Sequence, residues 1–241
     1  MLITARKTIA AGVAISALGF GACSSATSDN GAAAGSSSPE AIMSTPVAAI
    51  SDGSGDIDIF DSPNGKVTQT IDDETEYGTP TSFLVVDDQG EWLKVMLPER
   101  PNGSTGFVRS SEFDTAERDE KVVVDRDTNT LQLVRDGNVV METSVAEGSE
   151  AYPTPTGLYY VTDILDTGND GGAYGPYAIG ISAHSDVLTK FNGGDGQVGL
   201  HGTNNPDSIG KDVSHGCVRL DNDKITELAG EVELGTPVQI V

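Results

Sequence analysis

The chain has 241 residues, and its composition and charge already narrow the classes of protein to which it can belong. It contains 29 Gly and 11 Pro but only 5% aromatic residues, which favours turns and short strands over a helical bundle. The formal net charge of −23 would repel DNA and RNA, so no nucleic-acid partner is expected. The two cysteines are too few for a disulfide scaffold.

The first 23 residues have the pattern of a bacterial export signal. Two basic residues precede an apolar stretch over 8–22, which is shorter than the roughly 20 residues that span a bilayer. Small residues stand just before Cys23, as in a lipobox. We therefore predict a signal peptide over 1–23 and acylation of Cys23, which would anchor an exported lipoprotein in the cell membrane, facing the cell wall. Phe20 stands where a lipobox usually has Leu or Val, so ordinary cleavage is the alternative.

Two segments of different character follow the signal. Residues 24–50 contain 14 Ser or Ala and no periodic apolar pattern, which predicts a flexible tether. Residues 51–115 alternate apolar and polar positions between turns, which predicts a small antiparallel barrel that folds separately. Its Trp-Leu-Lys-Val and Gly-Phe-Val strands resemble those of bacterial Src-homology-three-like modules. Trp92 and Phe107 are candidates for stacking on a cell-wall ligand, and the alternative for Trp92 is a core residue.

A second β-rich domain is predicted over 116–241. Asp136-Gly137 lies between two alternating apolar runs, the typical sequence of a tight β-hairpin. A short helix is expected to begin at 221 or 222 and to end at Gly230, and residues 237–241 are expected to form the last strand. The class predicted for the whole chain is therefore mainly β.

The chemistry is concentrated between His201 and Cys217. Two of the three histidines of the chain and the only cysteine of the exported part fall in these 17 residues. An unpaired cysteine in an oxidising compartment is a liability unless its reactivity is used. Burial as a small apolar residue or a disulfide with an unmodified Cys23 would explain the cysteine alone, but neither would explain the histidines beside it.

A cysteine nucleophile needs a base, a group that orients the base, and donors for an oxyanion. Two strands ending side by side would bring His201 to the sulfur of Cys217, and the Gly202 carbonyl could fix the imidazole tautomer. Amides near Gly216 could converge on an oxyanion. Arg219, two residues beyond Cys217, could bind a substrate carboxylate.

The segment Ser214-His215-Gly216-Cys217-x-Arg219, preceded by His201-Gly202-Thr203, resembles the YkuD family of L,D-transpeptidases. The resemblance covers about 120–241 and includes the Pro-Thr-Pro-Thr-Gly run at 153–157. It implies a β-sandwich-like fold and a cysteine that attacks the meso-diaminopimelate to D-alanine bond of a peptidoglycan stem peptide, then passes the acyl group to an amine.

By position, the resemblance assigns Cys217 as the nucleophile, His201 as the base and the Gly202 carbonyl as its orienting group. Ser214, His215, Gly216 and Arg219 would shape the oxyanion and carboxylate side of the site. The glycine-rich segments 166–175 and 192–196 would be mobile loops beside the cleft.

Other functions stay open from the sequence. A sortase-like or papain-like exported enzyme would also use a cysteine, although papain-like enzymes place Cys before His in the chain. A non-catalytic wall-binding lipoprotein is the third possibility. The histidines and Cys217 could ligate zinc, but no acidic fourth ligand stands at a usual spacing, so neither a metal nor another cofactor is expected.

Overall fold

The computed structural model describes residues 45–190 and 193–241, which form a mainly β protein, as the composition predicted. The predicted signal peptide, Cys23 and most of the predicted tether lie outside the described residues. Within the described ranges, no helix is both long enough and apolar enough to cross a membrane.

The described residues before 118 form one antiparallel sheet. Its strands are β1 (Val47–Ser51), β2 (Ile57–Phe60), β3 (Val67–Ile71), β4 (Ser82–Asp88), β5 (Trp92–Met96), β6 (Thr105–Arg109) and β7 (Phe113–Glu117). They lie in the order β3-β2-β6-β5-β4-β1-β7. Strand β1 begins inside the segment predicted as a tether. Its residues Ala48 and Ala49 are fully buried between β4 and β7, a pairing that the low hydrophobicity of alanine does not reveal in the sequence.

The Trp92 side chain is a core residue of this first sheet. Its ring is only 4% exposed and packs edge-on against Phe60, with 4.9 Å between ring centroids. The Arg109 guanidinium covers it at 4.7 Å. The ring therefore offers little free face for ligand stacking with Phe107, in agreement with the alternative of a core residue.

A second sheet of eight strands carries most of the remaining chain. Its strands are β8 (Glu120–Asp125), β9 (Thr130–Arg135), β10 (Asn138–Ser144), β12 (Gly157–Asp166), β13 (Tyr177–His184), β14 (Gln197–His201), β16 (Val218–Arg219) and β17 (Pro237–Ile240). Their order is β10-β9-β8-β17-β12-β13-β14-β16, with parallel pairing at β8–β17 and β14–β16. Strands β11 (Glu147–Gly148) and β15 (Asp212–Ser214) form a separate parallel pair.

Helix α1 (Asn222–Glu231) packs on β13 and β14 and buries Ile225 and Leu228 in the core of the second sheet. It begins where the sequence predicted. It ends one residue later than expected, because Gly230 does not take the left-handed conformation that would stop a helix, and Val232 still donates to the Leu228 carbonyl.

The two sheets share buried contacts. The Tyr160 side chain, on β12 of the second sheet, is fully buried in the core of the first sheet, and its hydroxyl donates to the Met96 carbonyl. The Thr75 hydroxyl in turn donates to the Asp163 carboxylate at 2.6 Å. Separate folding of the first sheet stays a prediction, and these shared contacts argue against it.

The β13–β14 hairpin places its two ends in different surroundings. Its tip, around Asp195, is held by Arg100 of the loop between β5 and β6, whose guanidinium donates to the carbonyls of Ser185 and Asp195. Ala178, at the other end, pairs with His201. The glycine-rich tip thus lies at the far end of the hairpin from His201, whereas the expectation from the sequence placed it beside the cleft.

Candidate active site

The parallel pairing of β14 and β16 brings the two candidate reactive residues onto neighbouring strands. The register pairs Leu200 with Val218 and His201 with Arg219, and Cys217 directly precedes β16. Leu200 and Val218 are fully buried on the core face. Because side chains alternate along a strand, His201, Arg219 and Cys217 belong to the opposite face.

The imidazole of His201 is fixed by its own neighbour. Nδ1 lies 2.6 Å from the Gly202 carbonyl oxygen, and a carbonyl can only accept a hydrogen bond. The proton is therefore on Nδ1, and Nε2 carries the free lone pair. Burial lowers the pKa of His201 to about 4, and the nearby Arg219 acts in the same direction. At neutral pH the ring is thus an uncharged proton acceptor.

Cys217 is a free, half-buried cysteine. Burial raises the pKa of its thiol above the ordinary value, while a hydrogen bond from the Gly199 amide and the charge of Arg219 act in the opposite direction. Burial therefore disfavours the charged form of both Cys217 and His201. At neutral pH the site therefore holds an uncharged thiol and an uncharged imidazole.

The turn before Cys217 is held by hydroxyl groups. The buried Ser214 hydroxyl donates to the Cys217 carbonyl at 2.6 Å and accepts from the Gly216 amide at 3.0 Å. The Thr154 hydroxyl, fully buried, donates to the Gly216 carbonyl at 3.0 Å. Gly216 has φ +117°, a conformation that favours glycine. Ser214 therefore stabilises the turn that presents the sulfur.

The two remaining candidates, His215 and Arg219, differ in setting. His215 is exposed and packs against Tyr152, with 4.9 Å between ring centroids. Arg219 is half-buried, and among the described residues its guanidinium has neither an ion pair nor a hydrogen bond. Its positive charge is therefore available to a bound carboxylate.

The backbone beneath His201 is packed against the loop that follows β12. An added Cβ on Gly202 would lie 2.5 Å from the Asn222 side-chain oxygen and 2.9 Å from Cα of Gly175. The Asn222 oxygen accepts from the Thr203 amide at 2.8 Å. From the same loop, the Tyr174 ring packs edge-on against the His201 ring, with 4.7 Å between ring centroids. The predicted glycine-rich segment 166–175 does lie beside the site.

Sequence reasoning missed several residues that support the site. Thr154 was part of the motif at 153–157, but nothing local assigned its hydroxyl to the Gly216 carbonyl. The sequence predicts Asn222 only as a helix start, and it gives no local signal for Tyr174 or Tyr152. Contacts between residues far apart in the chain carry no local periodicity that would reveal them.

The described part of the chain holds no group of three or more His, Cys, Asp or Glu side chains placed to bind a metal ion. His184 lies at the other end of the hairpin, where its Nε2 is 2.9 Å from the Asp195 carboxylate. What the arrangement offers chemically is a thiol, an oriented proton acceptor and one available cation.

Comparison with known proteins supports this description. The model of the L,D-transpeptidase catalytic domain family YkuD matches residues 119–240. Two Bacillus subtilis (strain 168) proteins, both with provisional L,D-transpeptidase names, are similar to the chain. YkuD is 37% identical over 119 residues, covering 49% of this chain and 64% of that protein. YqjB is 34% identical over 133 residues, covering 51% of this chain and 71% of that protein. The chain thus spans less than two thirds of the YkuD protein.

Among solved structures, an Enterococcus faecium L,D-transpeptidase is 29% identical with a TM-score of 0.40, covering 52% of this chain and 50% of that one. A Mycobacterium tuberculosis L,D-transpeptidase is 19% identical with a TM-score of 0.42, covering 59% and 74%.

Proposed function

The chain belongs to the YkuD family of L,D-transpeptidase catalytic domains, and on this premise we propose that it cross-links or remodels peptidoglycan through an acyl-enzyme on Cys217. The substrate would be a tetrapeptide stem, and the acceptor an amine on another stem. The observation that carries the proposal is the strand register that pairs His201 with Arg219 and sets Cys217 directly before β16, with the His201 tautomer fixed by Gly202.

In the first step, Nε2 of His201 takes the proton of the Cys217 thiol as the sulfur attacks the carbonyl carbon of the scissile amide. The tetrahedral oxyanion is stabilised by amide donors of the turn preceding Cys217. The C–N bond then breaks, the leaving D-alanine amine takes the proton from His201, and a thioester remains on Cys217.

In the second step, the acceptor amine attacks the thioester carbonyl and gives its proton to Nε2 of His201. The C–S bond breaks, a new amide forms, and the sulfur regains the proton. Arg219 would hold a carboxylate of the donor stem, since it is the cation at this face without an internal partner in the described ranges. Transfer to water would give carboxypeptidation from the same thioester.

Incubation of the protein with a carbapenem, followed by mass spectrometry, tests the acyl-enzyme. The adduct is expected on the peptide containing Cys217, and Cys217→Ala is expected to abolish it. Incubation with purified tetrapeptide stems should release D-alanine and yield cross-linked dimers. An adduct elsewhere in the chain, or release of D-alanine by the Cys217→Ala variant, would overturn the proposal.

We also propose that the protein is a lipid-anchored export product, with the first sheet as a Src-homology-three-like module that positions the catalytic domain or binds the wall. The lipobox-like residues before Cys23 and the Ser/Ala-rich segment after it support the anchor. Cys23→Ala should move the protein from the membrane fraction into the medium. An unchanged distribution would mean that Cys23 is not the anchor.

A further inference from the structure

Residues 145–149 form a short segment whose backbone is hydrogen-bonded to residues on both sides of Cys217. We refer to this segment as the support strip. The Ala146 amide and carbonyl exchange hydrogen bonds with those of Arg219. The Glu147 amide donates to the Lys211 carbonyl, and the Ser149 amide donates to the Ser214 carbonyl. Both ends of the segment that contains Cys217 are therefore tied to this strip.

The Glu147 side chain is the unusual member of the strip. It is 1% exposed, and neither carboxylate oxygen has a hydrogen-bond partner among the described residues. The nearest cation is the Arg126 guanidinium, whose Nε is 3.6 Å from Oε2, too long for a hydrogen bond, and Arg126 is itself 34% exposed. A buried ionised carboxylate with so little compensation is unfavourable, so this position favours the protonated acid.

The charges around Glu147 come from two places in the fold. Arg126 and Asp125 lie at the end of β8, and Asp212 is the register partner of Glu147 on β15. Burial, together with Asp212 and Asp125, raises the pKa of Glu147 to about 7, and Arg126 opposes this. Ionisation would set two like charges opposite each other in the two-residue pairing that leads directly to Ser214.

We propose that Glu147 is a positioning residue for the Cys217 turn: its protonated side chain lets the support strip pair with β15, and loss of the proton weakens that pairing and loosens the turn. Only the consequence for transpeptidation rests on the proposed function. The effect on the sulfur itself is a property of the resting protein.

The test compares full-length wild type with Glu147→Gln, which keeps the shape of the protonated acid but cannot ionise. The readout is the rate of Cys217 alkylation by iodoacetamide, followed by mass spectrometry from pH 5.5 to 8.5. The ratio of the wild-type rate to the Glu147→Gln rate cancels the titration common to both thiols. We expect this ratio to be near one at pH 5.5 and to differ from one by about threefold or more at pH 8.5. The change in the ratio should have its midpoint near pH 7. A ratio that does not change with pH would overturn the proposal.

Amide hydrogen exchange supplies a second measurement that does not use the thiol. At pH 8.5 the peptide covering 210–220 should exchange faster in wild type than in Glu147→Gln, and at pH 5.5 the two should agree. Glu147→Ala, which removes packing as well as charge, should exchange faster at both pH values. Equal exchange of wild type and Glu147→Gln at pH 8.5 would contradict the proposal.

Arg126→Gln keeps the inference testable if Glu147→Gln does not fold. Removal of the nearest cation should move the midpoint of the exchange profile of residues 210–220 to higher pH, because the acid then holds its proton longer. An unmoved or lowered midpoint would overturn the proposal. Failure of carbapenem acylation in wild type, with the pH-dependent exchange intact, would refute the proposed function and leave this inference standing.

Discussion

The hydroxyl group of Tyr160 donates a 3.1 Å hydrogen bond to the carbonyl of Met96, although the two residues belong to different sheets. The Tyr160 ring is fully buried among the apolar side chains of the first sheet. A residue of the second sheet thus completes the core of the first, which makes the stability of one depend on the presence of the other.

Loss of this hydroxyl should destabilise the protein measurably. Tyr160→Phe leaves a buried carbonyl without its partner, so we expect a loss of about 1–3 kcal/mol in the free energy of unfolding, measured with urea. Tyr159→Phe is a matched control on the same strand: its hydroxyl donates to the carbonyl of Thr156, an exposed residue that water can reach. A smaller effect at Tyr160 than at Tyr159 would contradict this account of the shared core.

The Ser214 hydroxyl is expected to act on reactivity through geometry. Ser214→Ala removes both hydrogen bonds that close the turn, so the rate of Cys217 acylation by a carbapenem should fall about tenfold or more. Ser208→Ala is the control, since this hydroxyl is equally buried but donates to Asn205, outside the turn. Equal rates for Ser214→Ala and wild type would show that the turn does not need the hydroxyl.

The roles of the two histidines are separable by mutation. His201→Ala should lower carbapenem acylation by about 10²–10⁴-fold, the usual effect of removing a general base. His215→Ala should retain far more thiol reactivity toward a small alkylating agent, because His215 is exposed and packs on Tyr152. If His215→Ala were the more damaging variant for alkylation, the assignment of the base would be reversed.

The lowered pKa of His201 also predicts how stability depends on pH. In the unfolded chain the His201 imidazole takes up a proton near pH 6.5, whereas in the folded protein it stays neutral until the pH falls to about 4. The stabilising effect of the neutral imidazole is therefore fully present above pH 6.5 and is lost as pH falls towards 4, by up to about 3 kcal/mol. In urea unfolding at pH 4.5 and 7.5, His201→Gln should lose less stability on acidification than wild type. An equal or larger loss would exclude His201 as the group responsible.

Gly202 should tolerate no side chain. An added Cβ would lie 2.5 Å from the Asn222 oxygen, so Gly202→Ala should displace the Gly202 carbonyl, which accepts the hydrogen bond from His201 Nδ1, and should reduce acylation. Gly230 is the opposite case, because it lies within α1 and an added Cβ would contact no other atom. Gly230→Ala should therefore stabilise the protein by about 0.5–1 kcal/mol. Wild-type acylation by Gly202→Ala would show that the loop yields.

The sequence supported those features whose evidence is local. Alternation of apolar residues predicted a mainly β chain, and the helix start at Asn222 followed from a capping pattern. The expectation that strands bring His201 beside Cys217 rested on two motifs, each at a strand end, and β14 and β16 do lie side by side.

What could not be predicted depends on partners distant in the chain. Strand β1 is held by β4 and β7, the Tyr160 hydroxyl finds its acceptor 64 positions earlier in the chain, and Glu147 lies among charges from the end of β8 and from β15. None of these relationships leaves a period in the local sequence. The same holds for the far end of the β13–β14 hairpin, where glycine content suggested a loop but not its position.

The strand that follows Cys217 contains two residues, Val218 and Arg219. Side chains alternate between the two faces at every residue, so a shift of one residue in the register reverses their directions. A strand of two residues is too short to correct such a shift further along. By the same alternation, one residue inserted between Cys217 and Val218 would move the cysteine to the buried face that Val218 occupies. The number of residues between Cys217 and this strand is therefore fixed, and we expect neither natural insertions nor engineered loop grafts to be tolerated at this point of the chain.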